Sequence, residues 1–127
     1  MVARLLFVTI WLALSVSGCG PQWQGSSKVP SPDGKCVVVV SRELQAANDP
    51  ESWWQHVSLY RTGEEKENQI GNLLVFSSEK APRITWEGPR DLFIEIDDID
   101  YSIRGTLGRR AFPEISITTT IKRPTRN

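Results

Sequence analysis

Ser31-Pro32-Asp33-Gly34-Lys35-Cys36-Val37-Val38-Val39-Val40-Ser41-Arg42 reads as a turn that runs into a strand. Pro32 presets φ at the second turn position, and glycine suits the fourth, where Gly34 stands. From Lys35 to Arg42 the side chains of a strand alternate between two faces. Cys36, Val38 and Val40 take one face; Val37 and Val39 take the other. Both faces are apolar, so the strand is expected in the middle of a sheet with cover on both sides.

Downstream, Gln45 to Ser52 is polar, contains Asn48-Asp49-Pro50 and reads as a loop. Trp53 to Arg61 is the next strand, with Val57 and Leu59 on one face and His56, Ser58 and Tyr60 on the other. Gly63 to Gln69 is a charged connection. Leu73 to Phe76 and Arg83 to Trp86 are short strands, the second ended by Gly88-Pro89. Leu92, Ile94 and Ile96 mark a cleanly alternating strand, after which the apolar parity moves to Ile99, Tyr101 and Ile103. Strand side chains alternate strictly, so that change calls for a turn or bulge near Asp97-Asp98. Gly105 to Pro113 reads as a loop. Ile115, Ile117, Thr119 and Ile121 line the inner side of a last strand. Glu43 to Ala47 could form one helical turn, but no segment sustains a 3.6-residue period after the leader. These short strands at near-regular spacing predict an all-β domain over residues 31–124, a small antiparallel meander, sandwich or open barrel of about six to seven strands, followed by a polar tail at 125–127.

Upstream, residues 19–30 hold Gly, Pro, Gln and Ser without a hydrophobic period and read as a flexible tether. Trp23 lies in it, either at a lipid interface, which favours tryptophan, or in solvent. Residues 1–18 read as a leader. Arg4 supplies a positive start, and Leu5 to Val16 is an apolar run of 12 residues broken by Thr9 and Ser15. That length suits a signal sequence better than a membrane span, which needs about 20. An ordinary secretory signal would leave Cys19 free. Val16-Ser17-Gly18-Cys19, an aliphatic residue and two small ones before cysteine, resembles the bacterial lipoprotein signal box. The resemblance implies acylation of the Cys19 thiol, cleavage before it, and a lasting anchor, since two or more acyl chains hold stably. Gly20, where aspartate would imply inner-membrane retention, implies an outer-membrane position facing the periplasm in a Gram-negative cell.

Without Arg4, 14 basic residues stand against 15 acidic ones. Such balance argues against nucleic acid as a partner. With Cys19 acylated, Cys36 has no partner in the chain. It could pair between chains, but in a valine run it is expected as a small buried hydrophobe. Two further resemblances concern the domain. Ser31-Pro32-Asp33-Gly34-Lys35 with its aliphatic strand resembles one repeat of the propeller proteins of the Tol system, although a single copy makes no propeller. The same stretch, with Val57-Ser58-Leu59, Gly71-Asn72, Trp86, Leu92, Ile94 and the terminal Ile-rich strand, resembles a family of small bacterial proteins, often lipoproteins. That implies a β-rich fold and transfers no site residue.

Chemistry-bearing residues are sparse. His56 is the single histidine, with Asp49, Glu51, Ser52 and Ser58 near it. No Gly-x-Ser-x-Gly elbow accompanies the serines, so a polar-face histidine is expected rather than a base. Asp97-Asp98-Ile99-Asp100 lacks the Asp-x-Asp-x-Asp-Gly spacing of a calcium loop. No catalytic residue, metal site or cofactor is therefore expected. Trp53 and Trp54 should face opposite sides of the sheet, and with Tyr60 they are candidates for partner binding, since aromatics dominate binding hot spots. Arg109 and Arg110 are candidates on a loop. The expected role is a membrane-anchored, non-enzymatic envelope module that binds an envelope protein by a sheet edge or aromatic patch. The alternatives are an inhibitor or immunity-type lipoprotein that plugs an exported enzyme with Arg109-Arg110 or Asp97-Asp98, and, third, an enzyme using His56.

Overall fold

The turn at Ser31 closes as its residues dictate. In the computed structural model, which describes residues 22–46, 49–97, 104–105 and 108–122, the Gly34 N–H donates to Ser31 O at 2.9 Å and the Ser31 N–H to Cys36 O at 2.8 Å. The Ser31 hydroxyl, itself buried, donates to Asp33 Oδ1 at 2.7 Å and accepts from the Cys36 N–H at 3.1 Å. Gly34 takes φ 71°, the left-handed conformation that glycine adopts without penalty. The Ser31 hydroxyl, and after it the Lys35 N–H, hold the Asp33 carboxyl below its ordinary range. Ser31→Ala removes both hydroxyl contacts, and a loss of about 1–2 kcal/mol in urea unfolding is expected.

Among the described residues the chain forms eight strands and one helical turn. One sheet holds β1 (Gln22–Pro30), β2 (Cys36–Ala46), β3 (Asp49–Arg61), β4 (Leu74–Ser77) and the two-residue β7 (Arg104–Gly105), in that order and antiparallel throughout. A second sheet holds β5 (Arg83–Trp86), β6 (Asp91–Ile96) and β8 (Ser116–Ile121), in the order β5-β6-β8. Cys36, Val38, Val40, Val57, Leu59, Leu74 and Phe76 of the first sheet share one buried cluster with Leu92, Ile94 and Ile96 of the second. The fold is therefore all-β, and of the three expected layouts it is the sandwich. The Trp86 indole N–H also ties the sheets by donating to Val29 O at 3.2 Å.

Five expectations need correction. Most of the span read as a tether, residues 22–30, is strand β1, paired with β2 from Gln22↔Leu44 to Pro30↔Val37. It showed no alternation because the register shifts between Trp23 and Ser26, around Gly25 at φ 98°, which leaves Trp23, Ser26 and Val29 half-buried at three-residue spacing. An edge strand gains its place through backbone pairing, so it can be polar. The span 45–52 read as a loop belongs largely to strands, with Ala46 paired to Asp49. β8 runs parallel to β6, not antiparallel. Parallel neighbours need a connection of a dozen residues or more, and 19 separate Ile96 from Ser116. Finally, the span 105–113 contains a helical turn, α1 (Gly108–Ala111), and Ile121, expected inside, is 41% exposed at the end of β8. The leader, Cys19, Asp98, Ile99, Asp100, Tyr101, Ile103 and the tail lie outside the described residues.

Candidate functional site

The outer face of the first sheet carries the densest polar network. Residues 62–73, between β3 and β4, fold back across it. The Asn68 N–H donates to Ser41 Oγ at 3.1 Å and the Asn72 N–H to Ser58 Oγ at 3.1 Å. Asn72 also grips the Leu59 backbone, accepting from its N–H at 2.7 Å and donating to its oxygen at 2.9 Å. Ser26 of β1 donates to Asn68 Oδ1 at 3.1 Å, and Lys28 pairs with Glu67 at 3.2 Å. This cover explains why Val37 and Val39 are buried although they point away from the core between the sheets. The sequence asked for cover on both faces of the valine strand; the second sheet supplies one and this loop the other.

His56 sits at the centre of the network. Its side chain is 5% exposed. Nδ1 accepts the Gly71 N–H at 3.1 Å, so that nitrogen carries no proton. Nε2 therefore bears the hydrogen and donates it to Glu43 Oε2 at 3.0 Å. Burial lowers the pKa of His56, with the Glu43 carboxylate pulling the other way. The direction is downward, because a proton on Nδ1 would face the Gly71 N–H head-on. Trp23 lies against the ring, with centroids 4.9 Å apart and planes tilted by 59°. With both nitrogens occupied, the imidazole has no lone pair free to take a proton from a substrate. Its place on the polar face beside Ser58 and Tyr60 is as expected from sequence; Glu43, Gly71 and Asn72 as its surroundings are not. Gly71-Asn72 stood out only among the residues of a family resemblance, and nothing in the order of residues says that it returns to this face.

The partner-binding candidates do not assemble into one patch. Trp53 and Trp54 do face opposite sides. Trp53, half-buried, lies under the Arg42 guanidinium at 4.2 Å from the ring centroid. Trp54 is half-buried on the outer face, paired with Glu43 and Ser77. Tyr60 shares that face but lies six residues along β3, roughly 20 Å away at about 3.3 Å per residue. It opens onto a shallow depression of about 750 Å³ beside Glu64, Lys66 and Ile70, and Ile70 is 74% exposed. Arg109 is occupied at the edge of β8, donating to Ile117 O at 3.2 Å and to Thr119 Oγ1 at 3.3 Å. Arg110 is exposed.

At the far end of the sandwich a cleft of about 240 Å³ is lined by Asp33, Lys35, Cys36, Arg61, Arg90 and Glu114. Arg61 pairs with Glu114 at 3.2 Å and lies over Phe112. Cys36 is 4% exposed within the core cluster, as expected, and burial pushes its thiol up, which keeps it protonated and a poor nucleophile. Among the described residues no group of three or more His, Cys, Asp or Glu is placed to hold a metal ion, and no helix is long and apolar enough to cross a membrane. Compared with family models, curated proteins and solved structures, the chain matches none.

Proposed function

We propose that the chain is a lipid-anchored protein of the bacterial cell envelope, acylated at Cys19, whose sandwich acts as a non-enzymatic binding or structural module. The observation that carries this reading is the junction between motif and fold. β1 begins at Gln22, three residues after Cys19. Three residues span at most about 11 Å, so an acylated Cys19 holds the domain directly on its membrane rather than on a tether. The closed environment of His56 supports a non-enzymatic role. An envelope protein partner would meet the end away from the bilayer, where Tyr60 and Ile70 border a surface depression. In a Gram-negative cell Gly20 favours the outer membrane, with the domain in the periplasm. Labelling with a fatty-acid analogue is expected to mark the wild type and not Cys19→Ser, and the variant is expected in the soluble fraction. Equal labelling of both would remove the anchor from the proposal.

A further inference from the structure

We infer that the strand end carrying Trp23, Trp53 and Trp54 seats in the headgroup layer of the bilayer. The inference rests on the proposed acylation of Cys19. Residues 1–18 contain one tryptophan, Trp11, and the rest of the chain contains four. Three of those four fall on two adjacent rungs of one sheet. Gln22 pairs with Leu44 and Leu44 with Trp53; Trp23 pairs with Glu43 and Glu43 with Trp54. These are the first two rungs of β1, the ones nearest Cys19. Trp23, Leu44, Trp53 and Trp54 are all half-buried, so each keeps part of its apolar surface outside the domain.

Reach and layer thickness agree. The three residues from Cys19 to Gln22 extend at most about 11 Å, and each headgroup layer is about 5–8 Å thick. The acyl chains fix Cys19 at the boundary of that layer, so the tryptophan rungs cannot stand far above it. The β2–β3 hairpin continues past them on the same side, to Ala46↔Asp49. The seat is therefore the band of tryptophans on these two rungs, at the end of the sheet nearest Cys19. Tryptophan is favoured at that depth, where its ring lies among upper acyl carbons and its N–H stays wet. The Arg42 guanidinium lies over the Trp53 ring, 4.2 Å from its centroid, and this cation–π contact brings a charge to the same depth as the ring.

The opposite end carries Asp33, Lys35, Arg61 and Glu114 around its cleft. At the tryptophan end Arg42 is offset by Glu43, and the start of β3 adds Asp49 and Glu51, so the seat is not basic and needs no anionic lipid.

The test uses the protein purified from bacterial membranes and reconstituted in phosphatidylcholine vesicles, with bromine placed at carbons 6 and 7 or at carbons 11 and 12 of one chain. The shallow bromines are expected to remove at least about a quarter of the tryptophan emission, and the deep ones less, as for rings at the interface. Trp86→Phe should keep that pattern. Trp23→Phe, Trp53→Phe and Trp54→Phe should each weaken it, with circular dichroism confirming that each variant folds. Protein that is acylated by mass spectrometry and floats with the vesicles, yet shows unchanged emission, overturns the seat and leaves the anchor standing. Protein found without acyl chains overturns both.

Discussion

Gly71→Ala is expected to lower the unfolding free energy of the domain by about 3 kcal/mol, the upper range for forcing a methyl group into a packed site. A domain of this size loses about 4–8 °C in midpoint per kcal/mol, so the variant should melt well over 10 °C lower. Gly71 is where the covering loop reaches β3. A Cβ there would stand 2.8 Å from Val57 N and 2.9 Å from Val57 O, and closer still to Leu74 O. All three are backbone atoms, and Val57 and Leu74 are paired across β3 and β4. Relief would require two core strands to separate or the loop to lift. Lifting the loop breaks the Gly71 N–H contact to His56 and uncovers Val37 and Val39. The φ of Gly71 lies outside the left-handed region, so the cost is steric. Gly34 and Gly88 give the opposite control. An added Cβ meets nothing within 4 Å there, but φ is 71° and 88°, which costs roughly 1–2 kcal/mol for an L-residue. Unfolding curves that place Gly71→Ala at or below the loss of Gly34→Ala would refute the close approach.

The contrast between these glycines shows what the residue order could and could not disclose. Gly34 was legible because a turn is local: proline, aspartate and glycine at fixed offsets state their own geometry. The valine strand was legible for the same reason, since its two apolar faces demanded two covers. The identity of the second cover was not. Residues 62–73 look like a charged connection because Glu64, Glu65, Lys66 and Glu67 stand in a row, three of them exposed. Their hold on the sheet comes from backbone N–H groups, two asparagine side chains and serine hydroxyls, and such donors leave no periodic trace. β1 was missed through the same blindness. Its bulge at Gly25 scrambles the alternation, and its pairing with β2 is made by main-chain atoms. The parallel β6–β8 pair depends on the path of a long connection, which side-chain patterns do not encode. Among the site residues, His56 announced itself as a single histidine on a polar face. Glu43 needed the β2–β3 register to bring it near the ring, and that register is a pairing of residues distant in the sequence.

Replacing His56 should cost nearly as much as crowding Gly71, and the order among replacements tests which contact matters. His56→Ala empties a buried ring site, deprives the buried Gly71 N–H of its acceptor and uncovers one side of Trp23; a loss of about 3 kcal/mol is expected. His56→Asn keeps an acceptor near the position of Nδ1 and gives up the contact to Glu43. His56→Gln keeps a donor near Nε2 and gives up Gly71. The Glu43 side chain is 21% exposed and can turn to water, whereas Gly71 is buried. Gln should therefore cost more than Asn, and the reverse order would make the carboxylate the dominant partner. The protonation state adds a second readout. Burial holds the pKa of His56 below its ordinary value of 6.5. In the unfolded chain the ring takes up a proton as pH falls through about 6.5, while in the folded chain it stays neutral to lower pH. The contribution is thus complete above about pH 6.5 and is lost as pH falls through the folded value, at up to about 1.4 kcal/mol per pH unit. The carboxyls with lowered values, Asp33, Glu65 and Glu114, start from 3.8, 4.5 and 4.5 and act only in more acidic solution. Because the chain has one histidine, a fall in stability between pH 6.5 and 5 belongs to His56. Stability measured over that range should slope in the wild type and lie flat in His56→Asn; parallel slopes would mean that folding leaves the proton affinity of the ring unchanged, and a rise in stability as pH falls would mean that the ring is charged in the fold and that the Gly71 contact is not made.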